Sequence, residues 1–377
     1  MADSPTVSYA PTEEQDLIRT TARRFLEERL PIPTVRELMM SEEGFDAKVW
    51  KDMAGMGWMG LAVAEEHGGS GFGPVELGVL LEEMGRAVTP GPFFGSAVIA
   101  TTAIQEAATD TQRADLLPPL SSGETIATLA IFEDPRRWSV ESPGTKAVRS
   151  GDEWVIDGAK RAVIAGTEAD LVLVTASTDA GVSLFAVPAH ADGVEVSPEP
   201  VLDPTRRQAR VGFDSVRVGD GARLGGPDAA AALRRTLALA VTALASEQVG
   251  GAQRCLDMSV EYAKSRHQFG RPIGSFQAIK HRCAQMLMKV EHARSAAYHA
   301  ARVTDDPDEL AVAAPLAGSV ASEAYVWVAG ENIQVHGGIG FTWEHDAHLY
   351  LKRAKTSSLL FGDPSYQRHL LGQALGI

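Results

Sequence analysis

Apolar positions along the chain change their spacing twice. From Thr12 to about Ser122 they recur at helical intervals. Leu17, Ile18, Phe25 and Leu26 form the stripe of a first helix, and Thr12 with the acids after it makes an N-terminal cap. Between Met53 and Met84 helical segments are split by Gly68-Gly-Ser-Gly71, a loop signal, and the run from Leu77 to Met84 reads as a buried helix. From about Glu124 to Arg223 the period shortens. Trp154-Val-Ile-Asp-Gly158 is a strand entering a turn. Asp170-Leu-Val-Leu-Val-Thr-Ala176 and Val182-Ser-Leu-Phe-Ala-Val187 are strand-length apolar runs rich in branched residues. From Pro227 the helical period returns in long segments: Ala229 to Arg266, a second from an N-cap at Ser275 to about Val303, a third from about Asp308 to Val335, and a shorter one from about Glu344 to Leu360. The pattern predicts an α+β multidomain chain. An N-terminal helical domain (1–123) precedes a middle β barrel or sandwich (124–226), and a C-terminal four-helix bundle follows (227–377).

Composition narrows the class. The chain has 377 residues, 45% of them hydrophobic, as in soluble globular proteins. A net charge of −14 argues against nucleic-acid or anionic-membrane partners, which favour excess Lys and Arg. Only two cysteines occur, Cys255 and Cys283, both within helical patterns, so neither a disulfide framework nor a four-ligand zinc site is expected. Met1-Ala-Asp-Ser-Pro5 lacks a basic-then-apolar signal, and no run of about 18 apolar residues is evident. The expectation is a cytoplasmic protein.

Two C-terminal stretches carry candidate chemistry: Arg266-His-Gln-Phe-Gly-Arg-Pro-Ile-Gly-Ser-Phe-Gln277 and Gln334-Val-His-Gly-Gly-Ile-Gly-Phe-Thr-Trp-Glu344. Each interrupts a helical pattern with glycines beside polar groups, where a backbone can approach a phosphate or a flat cofactor. With Met56–Gly71, Gly151–Lys160 and the helical–β–helical order, they resemble the acyl-CoA dehydrogenases over nearly the full length. The resemblance implies FAD as cofactor, an acyl-CoA substrate, a tetramer, and an electron-transfer flavoprotein as acceptor. It implies that Arg266 meets the FAD pyrophosphate, that Gln268 and Phe269 contact the cofactor, and that Gln334 with the Gly337 and Gly338 backbone holds the phosphate and adenosine portion, all for a neighbouring subunit's flavin.

The departures from that family are one-sided. The family's base is a Glu in a Glu-Gly-Thr segment; here Phe361-Gly-Asp363 stands in its place, and the next flavin contact is Ser365. Members with the base on the first long C-terminal helix carry it 29 residues before the Phe; that position is Ala240. Glu247 is the nearest carboxylate on that helix, about 10 Å further along the axis. The middle-domain run Ile131–Trp138 lacks the family's Gly-Ser-Asp, and Ala162-Val-Ile164 replaces its Trp-Ile-Thr. Contacts lent to a neighbour are kept and contacts to the chain's own flavin ring are lost. This resembles the heteromeric actinobacterial acyl-CoA dehydrogenases, some of which act on bulky steroid side chains. Two other readings stand beside it: a self-sufficient homotetramer using Glu247 as base, and a non-catalytic structural or CoA-binding subunit. An acyl-CoA oxidase is a weaker alternative.

Other constellations carry less. Glu344-His-Asp-Ala-His348 has two histidines on one helix face but no third ligand, so no metal is expected. Gly68–Gly71 lacks the Lys-Ser or Lys-Thr of a phosphate loop. Arg206-Arg-Gln-Ala-Arg210 reads as a solvated loop or a contact to CoA phosphates.

Overall fold

The computed structural model describes residues 10–134 and 136–377. Met1–Pro5 and Pro135 of the 131–138 run lie outside the described residues.

Among the described residues, six α-helices come first: α1 (Glu13–Arg29), α2 (Ile32–Leu38), α3 (Ala47–Gly55), α4 (Pro74–Arg86), α5 (Thr101–Ala107) and α6 (Asp110–Ser121), with a π-helical segment at Phe94–Ala100. Thr12 caps α1 as expected: its hydroxyl accepts from Gln15 N, and Gln15 Oε1 accepts from Thr12 N, a reciprocal box that satisfies two orphan donors. The buried face of α1 is Gln15, Ala22 and Leu26. Leu17 is instead 67% exposed, because it lies off the face that Gln15, Ile18, Ala22, Phe25 and Leu26 turn to the core. Leu77 to Met84 is fully buried in α4, including Glu82 and Glu83, whose carboxylates hydropathy alone would send outward. Arg19, Arg23 and Arg294 pair with them, and Tyr298 donates to Glu82 at 2.6 Å. That network ties α1 and α4 to the C-terminal bundle.

The middle domain is one mixed sheet of β1 (Ala127–Ala130), β2 (Lys146–Ser150), β3 (Glu153–Ile164), β4 (Leu171–Thr178), β5 (Gly181–Pro188), β6 (Val194–Pro198), β7 (Gln208–Gly219) and β8 (Arg223–Leu224). The order is β6-β7-β3-β2-β4-β5-β8, with β1 parallel to β4. The sheet curls round its own core, since Trp154, Ile156, Val174, Phe185, Val211 and Phe213 come from opposite ends of that order and pack in one cluster. Its other face, including Leu173, Leu184 and Ile164, joins the large core shared with the N-terminal helices and the next long helix. The two faces explain why the strands read as continuous apolar runs.

The bundle consists of α7 (Ala230–Ser265), α8 (Gln277–Arg302), α9 (Pro307–His336), α10 (Ala347–Ser357) and α11 (Pro364–Leu375), with a two-residue hairpin of β9 (His267–Gln268) and β10 (Arg271–Pro272) between α7 and α8. Ser275 does not cap α8. It ends a 3-10 turn, and Phe276 takes the cap position with no side-chain hydrogen bond. The last expected helix, about Glu344 to Leu360, is the shorter α10, and α11 beyond it was not expected: the chain turns at Gly362, whose φ is +110°, and Asp363 caps α11 by accepting from Tyr366 N at 2.8 Å. Pro307–Phe341 is, contrary to the expectation from the sequence, long and apolar enough to cross a membrane, but it is mostly buried against the other bundle helices. Cys255 and Cys283 are free thiols, and burial raises both above the ordinary thiol range.

Candidate functional site

The two glycine-bearing stretches meet at one end of the bundle. Tyr262, in the last turn of α7, lies 4.4 Å by ring centroid from His336 at the end of α9, and His336 lies 4.3 Å from His345. Burial lowers the pKa of both imidazoles, which keeps the stack uncharged at neutral pH. His336 Nδ1 is 2.7 Å from the Asn332 carbonyl oxygen, which fixes its ring. This stack puts Arg266, at the C-cap of α7 one turn after Tyr262, at the same end of the bundle as Gln334 and the Gly337–Phe341 turn.

The side chains there point outward. Arg266, Gln268 and Gln334 are exposed, and Arg266 forms no ion pair among the described residues. Phe269 is 91% exposed and held at φ +53°, an unusual backbone for a non-glycine residue. Phe341 is 84% exposed and Trp343 56%. Nothing lies within 4 Å of a Cβ built on Gly337 or Gly338, and Gly337 has φ +65°. A phosphate or flat ring can therefore reach the main chain there.

The opposite side of the expected site is filled. Phe361 is 8% exposed, and its ring stacks on Phe94 at 6.3 Å and 25°. Between it and the β3 bulge, bounded by Ile131, Phe132, Arg161, Ala162, Ile164 and Leu360, only about 20 Å³ remains. Ala162 sits at φ +52° in that bulge, its N–H donating to Glu199 at 2.8 Å. Asp363 is engaged as the α11 cap, and Ser365 is exposed. Glu133, in the 131–138 run, is committed to the buried Lys160 at 2.8 Å and to Thr145 N at 2.7 Å. Against the opposing effect of burial, those hydrogen bonds hold its carboxyl down at about 2, while burial pulls Lys160 down to about 8.

Glu247 lies at the junction of all three domains. Its carboxylate accepts from Arg206 and, at 2.8 Å, from Arg353. Arg353 also donates to Asp203 at 2.6 Å, to the Thr205 hydroxyl at 2.7 Å and to the Thr89 carbonyl at 3.0 Å. Burial disfavours the Glu247 carboxylate, but the two guanidiniums outweigh it and hold its pKa below the ordinary carboxylate range. Arg206 is thus neither a solvated loop residue nor, as placed, open to CoA: it is 5% exposed, and its guanidinium lies 4.7 Å over the Phe94 ring. Arg207 donates to the carbonyls of Ser41 and Glu42. In the 344–348 run, Asp346 pairs with Arg36 at 3.1 Å, and the His348 ring stacks on Trp343 at 4.7 Å.

A cavity of about 780 Å³ opens between α7, α9, α11 and the segment 138–141, with Leu237, Val241, Leu310, Phe361 and Tyr366 among its walls. Trp138, which sequence reasoning noted only as part of a divergent run, forms one side: its indole N–H donates to Leu359 O at 3.0 Å, and its ring lies 5.3 Å from that of Tyr366. A lone Trp in a loop was the available signal; its partners lie more than two hundred residues away.

Family signatures for the acyl-CoA dehydrogenase N-terminal, middle and C-terminal domains match residues 12–124, 128–216 and 230–376. The chain belongs to the acyl-CoA dehydrogenase family. Acyl-CoA dehydrogenase IpdE2 of Mycolicibacterium smegmatis is 35% identical over 357 residues, covering 94% of this chain and 97% of that protein. Among solved structures, a Tcur3481-Tcur3483 steroid ACAD variant matches with a TM-score of 0.88 at 34% identity, covering 97% of this chain and 98% of that one. The ChsE4-ChsE5 complex from Mycobacterium tuberculosis matches at 0.90 and 28%, covering 98% and 99%. Members of the acyl-CoA dehydrogenase family are flavin oxidoreductases. Tested against this chain, FAD fits one side only. The uncommitted Arg266 guanidinium and the open Gly337–Gly338 backbone suit a pyrophosphate. The packed, apolar gap at Phe361 does not suit a flavin ring, which needs both room and polar partners.

Proposed function

We propose that this chain takes part in the FAD-dependent α,β-dehydrogenation of an acyl-CoA thioester as one chain of a heteromer, completing the flavin site of an unlike, homologous partner. One observation carries the reading: the residues suited to the cofactor's phosphate end are exposed and uncommitted, while the position of the ring in this chain is filled to within about 20 Å³. FAD, when bound, supplies the acceptor for the hydride leaving the β carbon. Arg266 would pair with its pyrophosphate through a rigid fork of donors. Gln268 and Phe269 would cover it, and Gln334 with the amides of Gly337 and Gly338 would hold the phosphate and adenosine portion. The base that takes the α proton comes from the partner chain, because Phe361 and Ala240 accept no proton. Glu247 serves as a structural counter-ion: as a base it would have to leave two guanidiniums and reach solvent through a closed core. That argues against the self-sufficient homotetramer.

The names of two structural relatives, a steroid ACAD pair and the ChsE4-ChsE5 complex, support an unlike partner and a bulky acyl group as the substrate class. A tetramer, a cytoplasmic setting and an electron-transfer flavoprotein as acceptor go with the same reading. The chain purified alone should hold little FAD and show no turnover. Co-expressed with a more complete acyl-CoA dehydrogenase chain, it should give fewer than one FAD per chain, with activity. One FAD per chain and dehydrogenation by this chain alone would sink the proposal.

A further inference from the structure

Three histidines gather where the two glycine-bearing stretches meet, and the geometry assigns a tautomer to each. His336, the last residue of α9, has Nδ1 2.7 Å from the Asn332 carbonyl oxygen, so Nδ1 carries the hydrogen and Nε2 is left as the basic nitrogen. His345 Nδ1 accepts the N–H of Ala347 at 3.1 Å, one of the orphan donors that open α10, so it is bare. His348 Nε2 lies 3.0 Å from the Trp343 carbonyl oxygen and donates to it, which leaves Nδ1 bare and buried with no partner among the described residues. A further proton therefore has a poor place on two of the three rings. On His345 it would break the bond to Ala347 N, and on His348 it would sit in a buried spot without an acceptor.

The charges that face the cluster also oppose a proton. Arg36 of α2 lies within 3.4 Å of His348 Nε2, and Lys352 of α10 stands 4.3 Å over the Trp343 ring, itself stacked on His348. Tyr262 of α7 presents its ring to His336. The anions are Asp346, already paired with Arg36 at 3.1 Å, and Glu344, which is exposed. His336 and His345, 4.3 Å apart, repel each other once both are charged. Burial holds all three imidazoles below the ordinary value of 6.5, helped at His345 by His336, His348 and Arg36, and at His348 by Lys352 and Arg36. A group whose pKa is lower in the closed arrangement than in the opened one favours opening as it is protonated. Its contribution is fully present above about pH 6.5 and is lost as pH falls through the closed-state value. The Gly337–Phe341 turn has little else to hold it: Gly337, Gly338 and Phe341 are exposed, and so is Ile339.

We propose that His336 and His345 are positioning residues: as an uncharged stack with Tyr262 they hold the Arg266 end of α7 and the Gly337–Phe341 turn in one arrangement, and protonation of the cluster releases the turn. The link to FAD rests on the reading that these stretches hold a partner's cofactor; the release itself does not. Hydrogen exchange of the full chain, corrected for the intrinsic pH dependence of amide exchange, reads the release. Protection of the 337–345 amides should fall at least about tenfold between about pH 7.5 and 5.5, while that of β4 and β5 holds. His345→Asn offers Ala347 N a carbonyl oxygen that does not titrate, and should cut that fall several-fold. His336→Ala removes the stacked ring and should lower protection already at the higher pH. Constant wild-type protection across the range, or an undiminished fall in His345→Asn, would overturn the proposal. If that variant fails to fold, seen as lost protection in β4 and β5, the wild-type measurement decides alone. The assembled complex, passed through gel filtration at the same two pH values, gives a separate readout: retained flavin should fall at the lower pH, and fall less in His345→Asn. Full flavin retention at both values, with the turn released, would leave the role of the stack standing and count against the reading that this turn holds a cofactor.

Discussion

Glu247 sits in the protein interior with Arg206 and Arg353 on its carboxylate and Asp203 on the far side of Arg353, so two cations and two anions share one buried volume. Removing one partner of such a set leaves the others charged and unpaired, which typically costs about 3–5 kcal/mol. Glu247→Gln should lower unfolding stability by about that amount in denaturant titration. Below its own melting temperature the variant, assembled with its partner, should keep turnover near wild type. A collapse in turnover with stability intact would restore Glu247 as a base. The pH dependence has a defined sign. The folded-state pKa of Glu247 is held below the ordinary value of 4.5, so its contribution is fully present above about pH 4.5 and is lost as pH falls through the folded value. Glu133, held at about 2, loses its contribution over the window from about 4.5 down to 2. Melting temperature should therefore fall steeply below pH 4.5 in the wild type and less steeply in Glu247→Gln. None of this was legible in the sequence. Glu247 stood out as the nearest carboxylate to Ala240, but Arg353 is 106 residues away and Arg206 is 41, and nothing local marks them as its partners.

Helix α7 reaches its place through backbone contact with α4. A Cβ on Gly250 would lie 1.7 Å from the Glu82 carbonyl oxygen, and one on Gly85 would lie 1.9 Å from that of Glu247. The two helices cross at glycines, and the crossing sets both buried acid networks in register. Gly250→Ala should force the helices apart and cost about 1–3 kcal/mol or more, since only main chain is in the way. Gly330→Ala, mid-helix in α9 with nothing within 4 Å, is the matched control and should stabilise by about 0.5–1 kcal/mol. Equal thermal shifts for the two would refute the crossing argument. At this scale the sequence was most informative. The long helices α7 to α9 were expected to within about two residues at each end, because apolar period and length are strong signals. What failed were features decided by a neighbour. The exposure of Leu17 depends on which helix packs opposite, and the unexpected α11 starts only after the turn set by the backbone angle of Gly362.

Across the whole molecule, the half-site that fits FAD and the position where a ring would react lie far apart. Ala240 and Arg266 are both on or at the end of α7, 26 residues apart, which is about 39 Å of helix. No single dinucleotide spans that length within one chain, which supports the proposal that Arg266 would serve a flavin whose ring lies in another subunit. The family motifs were legible from the sequence because they are short and glycine-marked, and the resemblance already implied that they face a neighbour's flavin; the length of α7 adds a physical reason for it. Two substitutions in the assembled complex separate the roles. Arg266→Ala removes charge-assisted bonds worth about 1.5–3 kcal/mol, so FAD affinity should fall roughly ten- to hundred-fold. Phe361→Leu keeps that position apolar and, if no reaction runs beside it as proposed, should leave FAD content and turnover per flavin unchanged. The absorbance of protein-bound flavin after gel filtration reads both. Full FAD retention by Arg266→Ala would mean that this end of the chain is only a packing surface. A large loss of turnover in Phe361→Leu would mean that a flavin ring does face this chain's own cavity.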